Sequence, residues 1–135
     1  MPYLQLEVIR SYPYATKKML AKRIGEVYSK IMKADQNRIT VSIRELGEGS
    51  LWRCGDGEPM PAAIMMCDIR KGRDALIRTE LSRELIDMCN EVLGLETGQL
   101  NIELPSIAAM KCITSGWEAL VRNGLLRRDP FNGSP

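Results

Sequence analysis

The chain has 135 residues, no histidine, 19 basic against 17 acidic side chains and a net charge of +2. The length suits one compact domain, and the even charge with an aromatic content of 5% points away from nucleic-acid, membrane-surface and base-stacking functions. Without imidazole, the Ser-His-Asp and Cys-His nucleophile sets and the usual zinc ligand sets are excluded.

Residues Tyr3 to Ile9 alternate, with Leu4, Leu6 and Val8 on one face and Tyr3, Gln5 and Glu7 on the other, the period of a strand with one buried face. Pro13, inside Tyr-Pro-Tyr, breaks it. Leu20, Ile24, Val27 and Ile31 then recur at helical spacing, predicting a helix from about Thr16, its expected N-cap, to Lys33. Ile39, Val41 and Ile43 alternate as a second strand. Gly47, Gly49, Gly55 and Gly57 predict a long loop ending at Pro59 and Pro61. Ala62 to Ile69 is apolar on both faces, as expected of a central strand in a covered sheet. Asp74 is placed to cap a helix over Ala75 to Leu93, striped by Leu81, Leu85, Met88 and Val92 and stopped by Gly94. Leu100, Ile102 and Leu104 alternate as a fourth strand, ended by Pro105.

Shifting the chain by 61 positions brings Leu20, Ile24 and Ile31 onto Leu81, Leu85 and Val92, Leu6 and Val8 onto Cys67 and Ile69, and Val41 and Ile43 onto Ile102 and Leu104. Two such units are too few for a solenoid, and each alone leaves a sheet edge bare. The expected fold is therefore α+β, an α/β sandwich: a tandem βαβ–βαβ chain packed as one four-stranded mixed sheet with two helices on one face and right-handed crossovers. Residues 1–135 read as a single domain, with repeat one at about 2–58, repeat two at about 61–105 and a C-terminal tail over 106–135.

The four cysteines, Cys54, Cys67, Cys89 and Cys112, contain no C-x-x-C, so neither a zinc knuckle nor a thioredoxin-type pair is indicated. The first twenty residues carry Glu7, Arg10, Lys17 and Lys18 without an uninterrupted apolar stretch, so no secretory leader is expected. The longest apolar run, Met60 to Cys67, is far short of a membrane span. Free thiols in a reducing cytoplasm are the expectation.

The sequence begins Met-Pro. Initiator methionine is trimmed before a small second residue, and Pro2 then carries a free secondary amine at the start of a strand. An ordinary α-amino group titrates at about 7.7–8.0 and a proline amine higher, so a base working near neutrality needs burial or nearby cations to hold it neutral. Arg70-Lys71-Gly72-Arg73, leaving the third strand, supplies cations. Two arginines around a glycine present two forks to one carboxylate. If the first and third strands pair antiparallel, Arg70 and Arg73 come to lie near Pro2.

Met-Pro-Tyr-Leu-Gln-Leu, followed by a helix and an alternating strand, resembles the tautomerase superfamily, whose members use an amino-terminal proline. The duplication is similar to that superfamily's fused form of the 4-oxalocrotonate tautomerase unit, at the length of cis-3-chloroacrylic acid dehalogenase and malonate semialdehyde decarboxylase. The resemblance covers roughly Pro2 to Pro105. It implies a cofactor-independent tautomerase (isomerase) without a metal. Pro2 would be the base, Arg70 and Arg73 would hold the carboxylate of a 2-oxo or 2-hydroxy-enoic acid, and Tyr28 and Trp52 would line the substrate site. It also implies a cytoplasmic homotrimer whose partner is a small carboxylate substrate, with no nucleic acid or membrane.

There are departures from the family pattern. Tyr12 stands where the short tautomerases carry their first-repeat arginine, with Arg10 two positions earlier, whereas Arg73 retains it. Thr40 replaces an arginine of the second strand, and Tyr28 replaces the dehalogenase histidine. The dehalogenase glutamate has no clear counterpart among Glu103, Lys111 and Cys112. The decarboxylase aspartate falls near Gln36 or Asn37, with Asp35 close by. Two alternatives stand beside the tautomerase reading: dehalogenase, hydratase or decarboxylase chemistry through the same proline, and a noncatalytic interaction protein, which follows if Met1 is retained and the Pro2 nitrogen is an amide. In the tail, Ile107, Met110, Ile113, Trp117, Leu120 and Val121 have spacing suited to covering a neighbouring subunit.

Overall fold

The computed structural model describes residues 2–69 and 74–104. In chain order its elements are β1 (Tyr3–Val8), α1 (Tyr14–Met32), a 3-10 turn (Gln36–Arg38), β2 (Thr40–Glu45), β3 (Trp52–Arg53), β4 (Met60–Pro61), β5 (Ala63–Cys67), α2 (Ala75–Leu93) and β6 (Leu100–Glu103). The four longer strands form one sheet in the order β2-β1-β5-β6. β1 pairs parallel with β2, β5 pairs parallel with β6, and the central β1–β5 pair is antiparallel. This is the α+β arrangement expected from the repeat.

The 61-residue offset extends to hydrogen bonds and register. It carries Tyr14–Met32 onto Ala75–Leu93, each of 19 residues. It carries the Leu4–Val41 pairing onto Met65–Ile102. The bond from Lys17 N to Pro13 O recurs from Arg78 N to Asp74 O, and that from Ala34 N to Ser29 O recurs from Leu95 N to Asn90 O, all at 3.1–3.2 Å. Both helices end on a left-handed residue, Lys33 (φ 53°) and Gly94 (φ 66°). Glycine takes that conformation freely, whereas a side chain there meets the backbone at a cost of about 1–2 kcal/mol.

Alternation builds the core. Leu4, Leu6 and Val8 of β1 and Met65 and Cys67 of β5 point to one face, where Leu20 and Ile24 of α1 and Leu81 and Leu85 of α2 bury them completely or nearly so. β5 is central, as its apolar composition implies, yet within one chain only one of its faces is covered. Ala63, Met65 and Cys67 are buried, whereas Met66 is 39% exposed.

Two local expectations are corrected. α1 begins at Tyr14, with Pro13 rather than Thr16 at the N-cap and no side-chain cap. Proline costs nothing there, because the first N–H groups of a helix lack intrahelical partners and its fixed φ suits entry. α2 starts as expected, with the Asp74 carboxylate accepting from Leu76 N at 2.8 Å. The glycine-rich stretch contains a small hairpin, in which Trp52 pairs with Pro61 and Arg53 with Met60.

Cys67 and Cys89 are buried thiols and Cys54 is exposed; Cys112 lies outside the described residues. Burial pushes the thiols of Cys67 and Cys89 up to about 12, so almost no thiolate forms at pH 8. Iodoacetamide at pH 8 is therefore expected to alkylate Cys54 in the native protein and to leave Cys67 and Cys89 unmodified until denaturant is added, as read by peptide mass spectrometry.

Candidate active site

Three strand ends meet at Pro2. Its carbonyl accepts from Thr40 N at 3.1 Å, at the start of β2, and the neighbouring Tyr3 carbonyl accepts from Asp68 N at 3.0 Å, just past the end of β5. The antiparallel pairing produces this meeting, because Leu4 stands opposite Cys67. α1 closes the third side. Its buried Tyr28 donates its hydroxyl hydrogen to the Asp68 carbonyl at 3.0 Å. A cleft of about 310 Å³ opens here, lined by Pro2, Tyr28, Met32, Lys33, Ala34, Asp35 and Arg38.

The sequence-assigned residues divide accordingly. Pro2 and Tyr28 share the cleft. Arg70 and Arg73 lie outside the described residues, as do Lys111, Cys112 and the tail over 106–135. Trp52 sits elsewhere: it lines a second, wider cleft of about 680 Å³ together with Ile9, Arg10, Arg53, Glu96 and Gln99. Pro2 and Ile9 flank β1 at opposite ends, about 20 Å apart along an extended chain, so Trp52 and Pro2 do not share a cleft within one chain. The Trp52 indole N–H donates to the Gly49 carbonyl at 2.9 Å. Glu103 lies on β6 opposite Met66 and does not line the Pro2 cleft.

Three charged residues of the Pro2 cleft were not assigned a site from periodicity or family pattern alone. Lys33 has the spacing of a last helical residue, Arg38 carries no periodic or motif signal, and Asp35 lies only close to a decarboxylase position. The 3-10 turn brings them together, with the Asp35 carboxylate accepting from Asn37 N at 3.0 Å as its cap. The usable signal was the break in helical spacing between Met32 and Ile39, a turn packed with charged residues at the strand end that faces Pro2.

The second cleft is the repeat's counterpart of the first, with Glu96 and Gln99 at the positions of Asp35 and Arg38. Its local chemistry is structural. Tyr12, 61 positions before Arg73, donates its hydroxyl to the Leu93 carbonyl at 3.2 Å and its backbone N–H to Glu45 Oε2 at 2.6 Å. Glu45 Oε1 accepts from Lys17 Nζ at 2.7 Å. Arg53 forks onto the carbonyls of Gly98 and Gln99. Burial raises the Tyr12 phenol above its ordinary value. The Lys17 hydrogen bond, followed by that of the Tyr12 N–H, lowers the Glu45 carboxyl. Among the described residues there is no cluster of cysteine, aspartate and glutamate suited to a metal, and no helix long and apolar enough to cross a membrane.

Because the folded state holds Glu45 below its unfolded pKa, its contribution to stability is present above the ordinary glutamate range and lost as pH falls through the lowered folded value. Glu45→Gln is expected to lower the melting temperature at pH 7. The gap from wild type should close as thermal melts are taken into that acid range.

Residues 2–57 match the family model described as "Tautomerase enzyme". No curated protein matches the chain in sequence. Among solved structures, N1, a member of the cis-3-chloroacrylic acid dehalogenase family, is 20% identical, with 78% of this chain and 74% of that one covered at a TM-score of 0.69. Pt0534 inactivated by 2-oxo-3-pentynoate is 20% identical, with coverage of 78% and 85% and a TM-score of 0.68. The symmetric trimer of fused 4-OT designated Q0 is 18% identical, with coverage of 78% and 85% and a TM-score of 0.68. At these identities the likeness is one of fold.

Proposed function

We propose that this chain, which has the fold of the tautomerase superfamily, is a cofactor-independent tautomerase that works through the amine of Pro2 once Met1 is removed. The observation that carries the reading is the antiparallel β1–β5 pairing, which brings the exit of β5 to Pro2. In the sequence Arg70 follows Cys67 by three residues, and the reading assigns the substrate carboxylate to Arg70 and Arg73. The repeat supports the same assignment. Tyr12, the counterpart of Arg73, reaches Leu93, and the counterpart of Leu93 is Met32, a wall of the Pro2 cleft.

In this mechanism the neutral amine takes the hydroxyl proton of a 2-hydroxy-enoic acid as the carbonyl forms, and returns a proton to the enol's β-carbon to give the 2-oxo acid. Arg70 and Arg73 hold the carboxylate and spread the charge that develops on the enolate. Lys33 and Arg38 add positive potential that favours the unprotonated amine. Tyr28, whose hydroxyl hydrogen is engaged by the Asp68 carbonyl, braces α1 against the β5 exit and presents its phenol oxygen to the cleft. Trp52 would meet a substrate only across a subunit boundary. We assign such a boundary to a homotrimer in which the uncovered sheet face around Met66 is buried and the sheet edges are closed. The Q0 fused 4-OT is a trimer of this fold. A reducing cytoplasm suits the thiols of Cys54, Cys67 and Cys89.

Asp35, which lines the same cleft as Pro2, supports a second reading, decarboxylation of a 3-oxo acid. The two are separated by assaying ketonisation of phenylenolpyruvate against carbon dioxide release from a 3-oxo acid. On the tautomerase reading, intact mass lacks Met1 and Pro2→Ala slows ketonisation by about 100-fold or more. Retained Met1, or an unchanged rate in the variant, refutes it. Light scattering at micromolar concentration should give a trimer mass, and a monomer mass refutes the assembly.

A further inference from the structure

The outer faces of the two helices carry matching charge. On α1 the exposed residues Lys18, Lys22, Glu26 and Lys30 recur every fourth position and form one stripe. On α2 the exposed residues Glu80, Arg83, Asp87 and Glu91 form another. The repeat does not explain the match, because the 61-residue offset carries Lys30 onto Glu91. The two helices pack side by side. Each returns along a parallel pair of strands, and the central strands β1 and β5 are antiparallel, so the helices are antiparallel too. Read in opposite directions from their midpoints, Arg23 and Glu84, Lys18 is roughly level with Glu91 and Lys22 with Asp87. Glu26 is then level with Arg83, and Lys30 with Glu80. All four levels bring together unlike charges. These charges are little used within the chain: the ion pairs among the described residues are Lys17–Glu45 and the exposed Lys22–Glu26 at 3.9 Å.

We propose that this helix layer is a docking surface for a second copy of the same chain, in which α1 of each copy lies over α2 of the other about a twofold axis running between the helices and along them. Every level then meets its opposite sign in the partner. The other face-to-face twofold, across the helices, sets the basic stripe of α1 on itself, so charge selects one arrangement. The occupant is fixed by the order of signs. A uniformly acidic partner would meet Glu26 and the acids of α2, whereas this chain presents the whole complementary pattern. Two helices of 19 residues are about 28 Å long and together about 20 Å wide, so the layers bury on the order of 1,000 Å² in all, the low end for a specific contact. Exposed ion pairs contribute little singly and are screened by salt, which makes the contact weak and salt-dependent. The layer is separate from the sheet face and edges assigned to the homotrimer, so it joins such assemblies rather than building one.

The test is light scattering of the full chain at two salt concentrations. The wild type should show at about 0.02 M salt a weight-average mass at least twice that at about 0.5 M, as the Debye length falls from about 20 Å to about 4 Å. The double variant Lys18→Glu with Lys22→Glu opposes like charges at two of the four levels, and so does Asp87→Lys with Glu91→Lys. Each should keep its high-salt mass at low salt. Mixed one to one at low salt, the two variants should associate, because each restores the signs that the other reversed. None of the four residues lines either cleft. Equal wild-type masses at the two salts, association retained by either double variant, or a mixture that stays apart overturns the surface. Charges that serve only the seam between α1 and α2 of one chain would give variants of lower melting temperature and a mixture that stays apart, which also overturns it. The ratio of masses decides the matter whether the unit at high salt is a trimer or not, and independently of any chemistry at Pro2.

Discussion

The antiparallel pairing of β1 with β5 is the constraint on which the rest of the structure depends. Each βαβ half has two parallel strands and one helix, and a two-stranded sheet with a single cover is marginal in water. Joining the halves through Leu4 to Glu7 against Cys67 to Ile64 makes one sheet of four strands. It also merges the two apolar faces, so that Leu6 and Met65 share a core with Leu20, Ile24, Leu81 and Leu85. Because the pairing is antiparallel, the start of one repeat is laid beside the end of the first strand of the other. Asp68 therefore bonds Tyr3, next to Pro2, and the helix that covers β1 supplies Tyr28 to hold the junction. The bond that makes the core thus also makes the cleft.

What could be read in the chain before its structure follows from the same physics. Alternation in Leu4-Leu6-Val8 and Met65-Cys67-Ile69 sets which face is buried, and helical spacing sets the stripes of α1 and α2, because burial of these residues leaves no other solution. The offset of 61 was legible for that reason and proves to hold down to the left-handed caps. The Trp52–Pro61 hairpin was not legible, since two-residue strands have no period and glycines mark a loop without saying how it closes. Nor was the position of Trp52 at the far end of β1 from Pro2, because an aromatic in a loop carries no address. The charged wall of the Pro2 cleft escaped for a third reason. Lys33 and Arg38 are exposed charges at a helix end and a turn, a composition shared by most solvated surface, and only the fold distinguishes a cleft from a surface.

The two repeats have kept one scaffold and divided its chemistry. Where the first repeat has Tyr28, the second has Cys89, a buried thiol held far above neutrality. Where the first has Lys33 and Arg38, the second has Gly94 and Gln99. Where the second has Arg73, the first has Tyr12, which ties the turn after β1 to the end of α2 and to Glu45. Both clefts have charged walls, but from different residues: Lys33, Asp35 and Arg38 in the first, and Arg10, Glu48, Arg53, Glu58 and Glu96 in the second. On the proposed reading a symmetric pair of sites would need a second free amine, and position 63, the counterpart of Pro2, lies within the chain, where its nitrogen is an amide. In the second cleft Arg53 fastens the hairpin to the loop before β6.

The absence of histidine gives that division its chemical sense. A carboxylate is too weak a base to take a proton from an enol efficiently unless it is strongly desolvated, and the Asp35 carboxylate sits exposed with one oxygen already accepting a backbone N–H. A phenol or a buried thiol is charged only well above neutrality. On the reading proposed above, the terminal secondary amine of Pro2 is the base that is left, and the positive potential of the Lys33 and Arg38 side chains that line its cleft favours the unprotonated form.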